Sequence, residues 1–340
     1  MTALVDPAPA AAVKRPPLDR WDRYVLPDPD TGQVKAWTRV TTLAGALDDR
    51  FALSAWENRM VAKGMAMRPD LVALAANLDV EADREQLGKI ANQAKEAAGS
   101  TAGANLGTAL HRLLERADAG LDVEPGNLAG ELAAYRAELD RRGWRVDPRY
   151  IERIVCVPEL GVAGQIDRLL HLPGDDRLLV ADVKSQKSLS FGSRKIAIQL
   201  AVYSRAYAVW NAETETWEDP PAINQDRAAV LWVPIGQGRA EVYSVDLAEG
   251  WRWALVAREV YQTRRVHYLR PWDDDVLDPA ADRFQAMGAW AERFRSATSV
   301  DELMAMATTA AEAFGGQLPE ELKVVGRQRR AELQNTTPRS

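Results

Sequence analysis

Three short runs in the middle of the chain, residues 149–157, 162–172 and 177–183, are rich in Val, Ile and Leu. The turn sequences Pro158-Glu159-Leu160-Gly161 and Pro173-Gly174-Asp175-Asp176 cut them apart. Runs this short, bounded by Pro and Gly, are predicted strands. They constrain the fold more than any other feature, because each strand must pair its backbone with another. Downstream lies a helical pattern over 194–210, then two further strand-like runs, 228–234 and 240–245, joined as a hairpin across Gly236-Gln237-Gly238. Upstream the pattern is helical over 52–66, 70–76 and 82–98. A Gly/Ser/Thr-rich break at 99–103 precedes a helix opening near Asn105, and another helix covers 128–142 and stops at Gly143. From Leu247 onward the pattern is helical again, with breaks at 271–279 and 315–319. This order predicts an α/β or α+β core, a roughly five-stranded mixed sheet flanked by helices, with helical additions at both ends. The expected division is a leader over 1–20 with Pro-Ala repeats, a helical region over 21–103, the core over 104–262 and a helical extension over 263–340.

Length and an apolar content of 46% allow one large core or two modest ones. No apolar run approaches the roughly 18 residues that a membrane span needs, and the N-terminus lacks a signal-peptide pattern. The expectation is a soluble, cytoplasmic protein with no membrane partner. The lone cysteine, Cys156, lies in the apolar run Ile154-Val155-Cys156-Val157, which excludes a disulfide framework, a cysteine zinc site and an iron–sulfur cluster. With 43 basic against 49 acidic residues, the net charge of −6 leaves any affinity for nucleic acid to local basic patches. Lysine is scarce, nine residues against 34 arginines, so a lysine beside an acid at a strand end is less a default surface choice.

Such a pair closes the third strand, Val180-Ala181-Asp182-Val183-Lys184, where strand alternation puts Val180, Asp182 and Lys184 on one face. Alone, the pair is also what a solvated face carries. In the preceding strand, Gly164-Gln165-Ile166-Asp167 sets an aspartate among apolar residues. Asp167 is either a cation ligand beside Asp182, since two close carboxylates repel and a divalent ion relieves them, or a bend cap paired with Arg168. Gly107-Thr108-Ala109-Leu110-His111 opens a helix whose leucines pack inward and whose His111 lies on the flank of that stripe, as ligand or core histidine, with Glu115 one turn on to orient it. On the following helix, Gln199 and Tyr203 share a surface at i, i+4, as site residues or as ordinary amphipathic pattern.

Together, in this order, these four motifs resemble the RecB-like nuclease branch of the PD-(D/E)XK superfamily, which reads Gly-x-x-x-His, Gly-x-x-Asp, Asp/Glu-x-Lys and Gln-x-x-x-Tyr. The resemblance covers residues 104–210; more loosely, Arg39-Val40-Thr41-Thr42 and Trp56 resemble the N-terminal region of RecB-like exonucleases of actinobacterial phages. It implies a restriction-endonuclease-like core and a metal-dependent DNA exonuclease of recombination, repair or phage DNA processing. Its ligands would be His111, Asp167, Asp182 and the Val183 carbonyl, holding one or two Mg²⁺ or Mn²⁺ ions, with histidine shifting the preference toward Mn²⁺. Lys184 would orient or deprotonate the attacking water, and Gln199 and Tyr203 would contact the phosphate or Lys184. The iron–sulfur cluster of many relatives is excluded by the single cysteine. The expected partner is DNA with a free end, gripped by Arg39, Thr41, Arg142, Trp144, Arg194, Lys195 and Arg265, since arginine interleaved with aromatics suits unpaired bases. A recombination or single-strand-binding protein is a further implied partner, and the oligomeric state stays open. The competing expectations are a structure-specific endonuclease and a DNA-binding protein that has lost catalysis on the same fold.

Overall fold

The chain opens on a hairpin, β1 (Tyr24–Pro27) and β2 (Val34–Arg39), in the computed structural model, which describes residues 16–264, 266–269 and 279–335. The Asp28 carboxylate accepts from the Asp30 and Thr31 N–H groups, and Gly32 takes a φ of +69° to close the turn. This hairpin stands at the head of the segment whose pattern predicts helices. The period-two signal of strands four and six residues long is too brief to compete with the helical run behind them. Of the expected leader, Pro17 is tied to β1 through its carbonyl and the Val25 N–H, and residues 1–15 lie outside the described residues.

Helices follow: α1 (Val40–Ala44), α2 (Phe51–Met67), α3 (Pro69–Ala75), α4 (Arg84–Ala97), α5 (Ala102–Asp118) and α6 (Ala129–Arg142). Then come the strands β3 (Arg145–Val146), β4 (Ile154–Val157), β5 (Val162–Gln165), β6 (Arg168–Leu172) and β7 (Asp175–Lys184). After helix α7 (Ser193–Tyr203), β8 (Ala208–Asn211), β9 (Thr216–Glu218), β10 (Arg227–Trp232) and β11 (Glu241–Asp246) lead into α8 (Leu247–Thr263). The fold is α+β, and its strands divide between two mixed sheets, ordered β1-β2-β5-β4-β8-β9 and β11-β10-β7-β6-β3. Within them β2–β5 and β10–β7 are parallel and the other pairs antiparallel.

Two boundaries differ from the sequence pattern. The run over 162–172 is not one strand: it breaks at Ile166-Asp167, so that β5 ends in one sheet and β6 begins in the other. Glu152 holds the crossing, its N–H donating to the Asp167 carbonyl and its own carbonyl accepting from the Gln165 side chain. The helix expected over 194–210 ends at Tyr203, and residues 208–211 pair with β4 as β8, begun by the Tyr207 N–H on the Cys156 carbonyl. Pairing with an available sheet edge overrides the local helical pattern of Ala206 to Trp210.

The central strands of the second sheet, β6, β7 and β10, are buried on both faces. Leu170, Leu179, Ala181, Val183, Ala229 and Leu231 pack with Leu110, Leu113 and Leu114 of α5 and Leu132 and Leu139 of α6. On the opposite side Leu169, Leu178, Val180 and Val230 pack with Ile198 and Val202 of α7 and Ala254 of α8. This alternation puts Asp182 on the α7 side, as the period of two requires.

Residues 267–340 form a separate unit. Its helices α9 (Pro279–Ser296), α10 (Val300–Ala313) and α11 (Glu320–Asn335) enclose Phe294, Ala297, Leu303, Ala310 and Leu322. The break expected over 315–319 falls between α10 and α11, while most of the one expected over 271–279 lies outside the described residues. No helix among the described residues is long and apolar enough to cross a membrane.

Candidate active site

The register of β6 against β7 matches Arg168 with Ala181 and Leu169 with Val180, so Asp167, one step before β6, comes opposite Asp182. The carboxylate of Asp167 is fixed by the Val183 N–H, which donates to its Oδ2 at 2.9 Å. In a strand the N–H and C=O of one residue point the same way, so the Val183 carbonyl lies on the Asp167 side as well. Lys184 closes the strand and reaches back, its Nζ 2.6 Å from Asp182 Oδ2. From α5, His111 Nδ1 lies 3.8 Å from Asp167 Oδ2. From α7, the Gln199 amide donates to Asp182 Oδ1 at 3.3 Å and to the Tyr203 hydroxyl at 3.5 Å. The residues that the four motifs single out therefore meet on one open cleft of about 370 Å³, lined by His111, Asp167, Asp182, Lys184, Gln199 and Tyr203.

The motif glycines are explained by close approach. A Cβ on Gly107 would stand 2.8 Å from Ser185 Oγ, so glycine lets α5 pass against the chain leaving Lys184. A Cβ on Gly164 would stand 2.7 Å from both Tyr203 Cε1 and Val40 Cγ2, so glycine seats the Tyr203 ring against β5.

Asp182 is only 2% exposed, with the Lys184 ammonium against its Oδ2 and the Gln199 amide on its Oδ1. Burial first, and the facing Asp167 second, push its carboxyl up to about 7 against the pull of Lys184. Burial lowers the His111 pKa, with the Arg168 and Lys184 charges assisting and Asp167 opposing, which favours the neutral imidazole that can ligate a metal. Burial also raises the Tyr203 hydroxyl well above its ordinary value, so it stays a neutral hydrogen-bonding group.

The donor set fits a hard divalent cation: two adjoining carboxylates, a neutral imidazole and a main-chain carbonyl. Among the described residues no three His, Cys, Asp or Glu side chains are gathered into a closed ligand set. Two donors about 2.1 Å from one ion at a right angle stand roughly 3 Å apart. The 3.8 Å between His111 and Asp167 is open by less than an ångström or so from that spacing.

Of the residues expected to grip DNA, Arg39, Thr41 and Lys195 line the same cleft, Arg39 with its guanidinium 5.5 Å from the Tyr24 ring centre. Lys195 is paired with Asp48 at 3.0 Å. Arg194 donates to the Leu47 carbonyl and lies over Trp253, and it does not line the cleft. Arg142, bonded to Glu138 at 2.9 Å and set against Trp144, stands at the β3 edge and lines no part of it either. Arg265 lies outside the described residues. The cleft also contains residues that the motifs did not indicate: Tyr24 from the N-terminal hairpin, and Glu152 and Gln165 at the crossing between sheets. The Asp28-Pro29-Asp30-Thr31-Gly32 turn between two short apolar runs was the available signal for the hairpin; Glu152, held at a φ of +53°, had none.

No protein-family model matches the chain, and comparison with curated proteins returns no significant match.

Proposed function

We propose that this protein is a divalent-metal-dependent deoxyribonuclease of the PD-(D/E)XK superfamily, on a restriction-endonuclease-like core, that hydrolyses phosphodiester bonds from DNA ends. The observation that carries this reading is the meeting of Asp167, Asp182 and Lys184, from adjoining strand ends, with His111 on one cleft. His111, Asp167, Asp182 and the Val183 carbonyl would hold one or two Mg²⁺ or Mn²⁺ ions. A divalent cation there supplies Lewis acidity, an acidified water and neutralisation of phosphate charge.

The chain's own groups do the rest. The Val183 N–H occupies one Asp167 oxygen and the Gln199 amide one Asp182 oxygen, so each carboxylate is held in a single orientation. Lys184, hinged at the end of β7, is the cation that steadies negative charge gathering on the phosphoryl oxygens and orients the attacking water. Tyr203, buried against Gly164, accepts from the Gln199 amide that also holds Asp182. Arg39 and Lys195 attract the flanking phosphates to a chain whose net charge is −6, and that attraction weakens with salt.

Incubation of end-labelled linear, nicked and covalently closed circular DNA with Mg²⁺ or Mn²⁺ tests the proposal, with Asp182→Ala as control. The expected result is metal-dependent loss of label from linear DNA and an intact closed circle. Linearisation of the circle at the same rate would replace the exonuclease with an endonuclease. Metal-dependent DNA binding without hydrolysis would leave a DNA-binding protein.

A further inference from the structure

Arg168 is 0% exposed, directly follows Asp167, and has no part in the chemistry above. Its Nε lies 3.3 Å from Asp118 Oδ2, and its Nη1 donates to the Tyr135 hydroxyl at 3.2 Å. That hydroxyl donates in turn to Asp118 Oδ2 at 2.9 Å, and the guanidinium carbon lies 5.6 Å from the Tyr135 ring centre. Asp118 is the last residue of α5, Tyr135 lies midway along α6, and Arg168 is the first residue of β6. His111 and Asp118 are seven residues apart, close to two helical turns, so they leave α5 on nearly the same face.

As a stabiliser this arrangement is a poor choice. Taking a guanidinium and a carboxylate out of water is costly, and apolar side chains of similar volume often hold a core as well or better. Arg168 Nε and Nη2 are buried and make no hydrogen bond, an expense that packing alone does not require, so the directional links of the arrangement run through the Tyr135 hydroxyl to Arg168 and Asp118. Apolar contacts already join these elements, Leu110, Leu113 and Leu114 meeting Leu170 and Leu179. What such contacts lack is direction, since leucines permit a helix to slide or turn on a sheet. A three-membered polar lock permits one register.

We propose that Asp118, Arg168 and Tyr135 form a positioning unit that sets the register of α5 on β6, and through it the separation of His111 from Asp167. This rests on the reading of His111 and Asp167 as partners in one metal-holding site. Arg168 and Asp167 are consecutive, so anchoring Arg168 to the end of α5 fixes the height of Asp167 against the histidine two turns back.

The test replaces the whole lock with apolar isosteres in the full chain: Asp118→Leu, Tyr135→Phe and Arg168→Met together. If that variant does not fold, Asp118→Asn, which keeps the shape and removes the charge, is read in the same way. In the metal-free protein, exchange of the Val183 amide, bonded to Asp167 Oδ2, is followed by NMR. It is expected to accelerate about tenfold or more while the Val180 amide of the same strand keeps its protection. Mn²⁺ affinity is expected to fall by about tenfold when His111 is present and by no further factor in a His111→Ala background. A folded variant with wild-type Val183 protection, or an equal loss of Mn²⁺ affinity in both backgrounds, overturns the proposal. If the wild type takes up no Mn²⁺, the nuclease reading fails by itself, and the Val183 amide still decides whether the lock positions Asp167.

Discussion

At one end of β6, Asp147 is ringed by nitrogens: the Arg149 N–H, Nε and Nη2 at 3.0, 3.0 and 2.7 Å, and His171 Nε2 at 3.0 Å. At the other end Asp182 and Asp167 face each other with His111 and Lys184 beside them. Both clusters combine aspartate, histidine and a basic side chain, and the electrostatic outcomes are opposite. Hydrogen bonds from Arg149 overcome the burial of Asp147 and hold its carboxyl down at about 2, whereas burial and a second carboxylate push Asp182 up to about 7. A carboxylate saturated by hydrogen bonds from a guanidinium and its own main chain is a structural joint. One buried beside another acid, on an open cleft, keeps a raised pKa even with an ammonium against it.

The largest effect that would sharpen this contrast is on catalysis. Lys184→Ala is expected to lower the turnover of linear DNA by about 10²–10³-fold or more while leaving DNA affinity nearly intact, because the lysine acts on charge that develops in the transition state. Equal losses of affinity and turnover, measured by filter binding and single-turnover digestion, would make the lysine a structural group like Arg149.

Packing gives the next effect. Gly164→Ala would drive a methyl to 2.7 Å from Tyr203 Cε1 and Val40 Cγ2, at a cost of about 1–3 kcal/mol. A lowered Tm with reduced activity is expected, and an unchanged Tm would mean that β5 and α7 have slack there.

The two clusters should also answer pH with opposite signs in the metal-free protein. Asp182 has a raised folded pKa, so its contribution to stability is full below the unfolded value of about 3.9 and is lost as pH rises through about 7. Asp147 has a depressed one, so its contribution is present above about 3.9 and is lost as pH falls toward about 2. Tm profiles of Asp182→Asn and Asp147→Asn should each lose one limb, the first the decline toward neutral pH and the second part of the acid decline. Profiles that both change on the same limb would break the comparison.

The smallest expected effect is that of His171→Gln. His171 is 43% exposed and supplies one of four contacts to Asp147, the other three coming from Arg149, and a single hydrogen bond contributes about 1 kcal/mol. Nuclease activity should be unchanged and Tm should move by a few degrees at most. Loss of activity from this substitution would place the second cluster in the machinery.

Much of the site was legible because its motifs are local. Asp182 and Lys184 share a face by strand period, Gln199 and Tyr203 by helix period, and each motif glycine sits where a side chain would collide. The five strand-forming runs and the long helices were equally legible from period and turn chemistry. Illegible were the features that depend on residues distant in sequence. Arg168 could be read only as a neighbour for Asp167, whereas its ion pair is with Asp118, fifty residues earlier. The split of 162–172 between two sheets had no local mark, since Ile166 is as strand-like as its neighbours. Arg142 and Trp144 read as well as Arg39 for gripping DNA, and only the fold sets them at different places.

The sequence by itself determined the long helices, the central strand-forming runs, the face on which each motif residue lies and the chemical kinds of donor available, because those follow from backbone period and side-chain type. Tertiary structure alone decided that Asp167 crosses between sheets to stand opposite Asp182, that Tyr24 and Arg39 come from the N-terminal hairpin into the same cleft, and that burial and Asp167 raise the Asp182 carboxyl. Desolvation and charge proximity depend on which surfaces are packed together, and no local pattern encodes that.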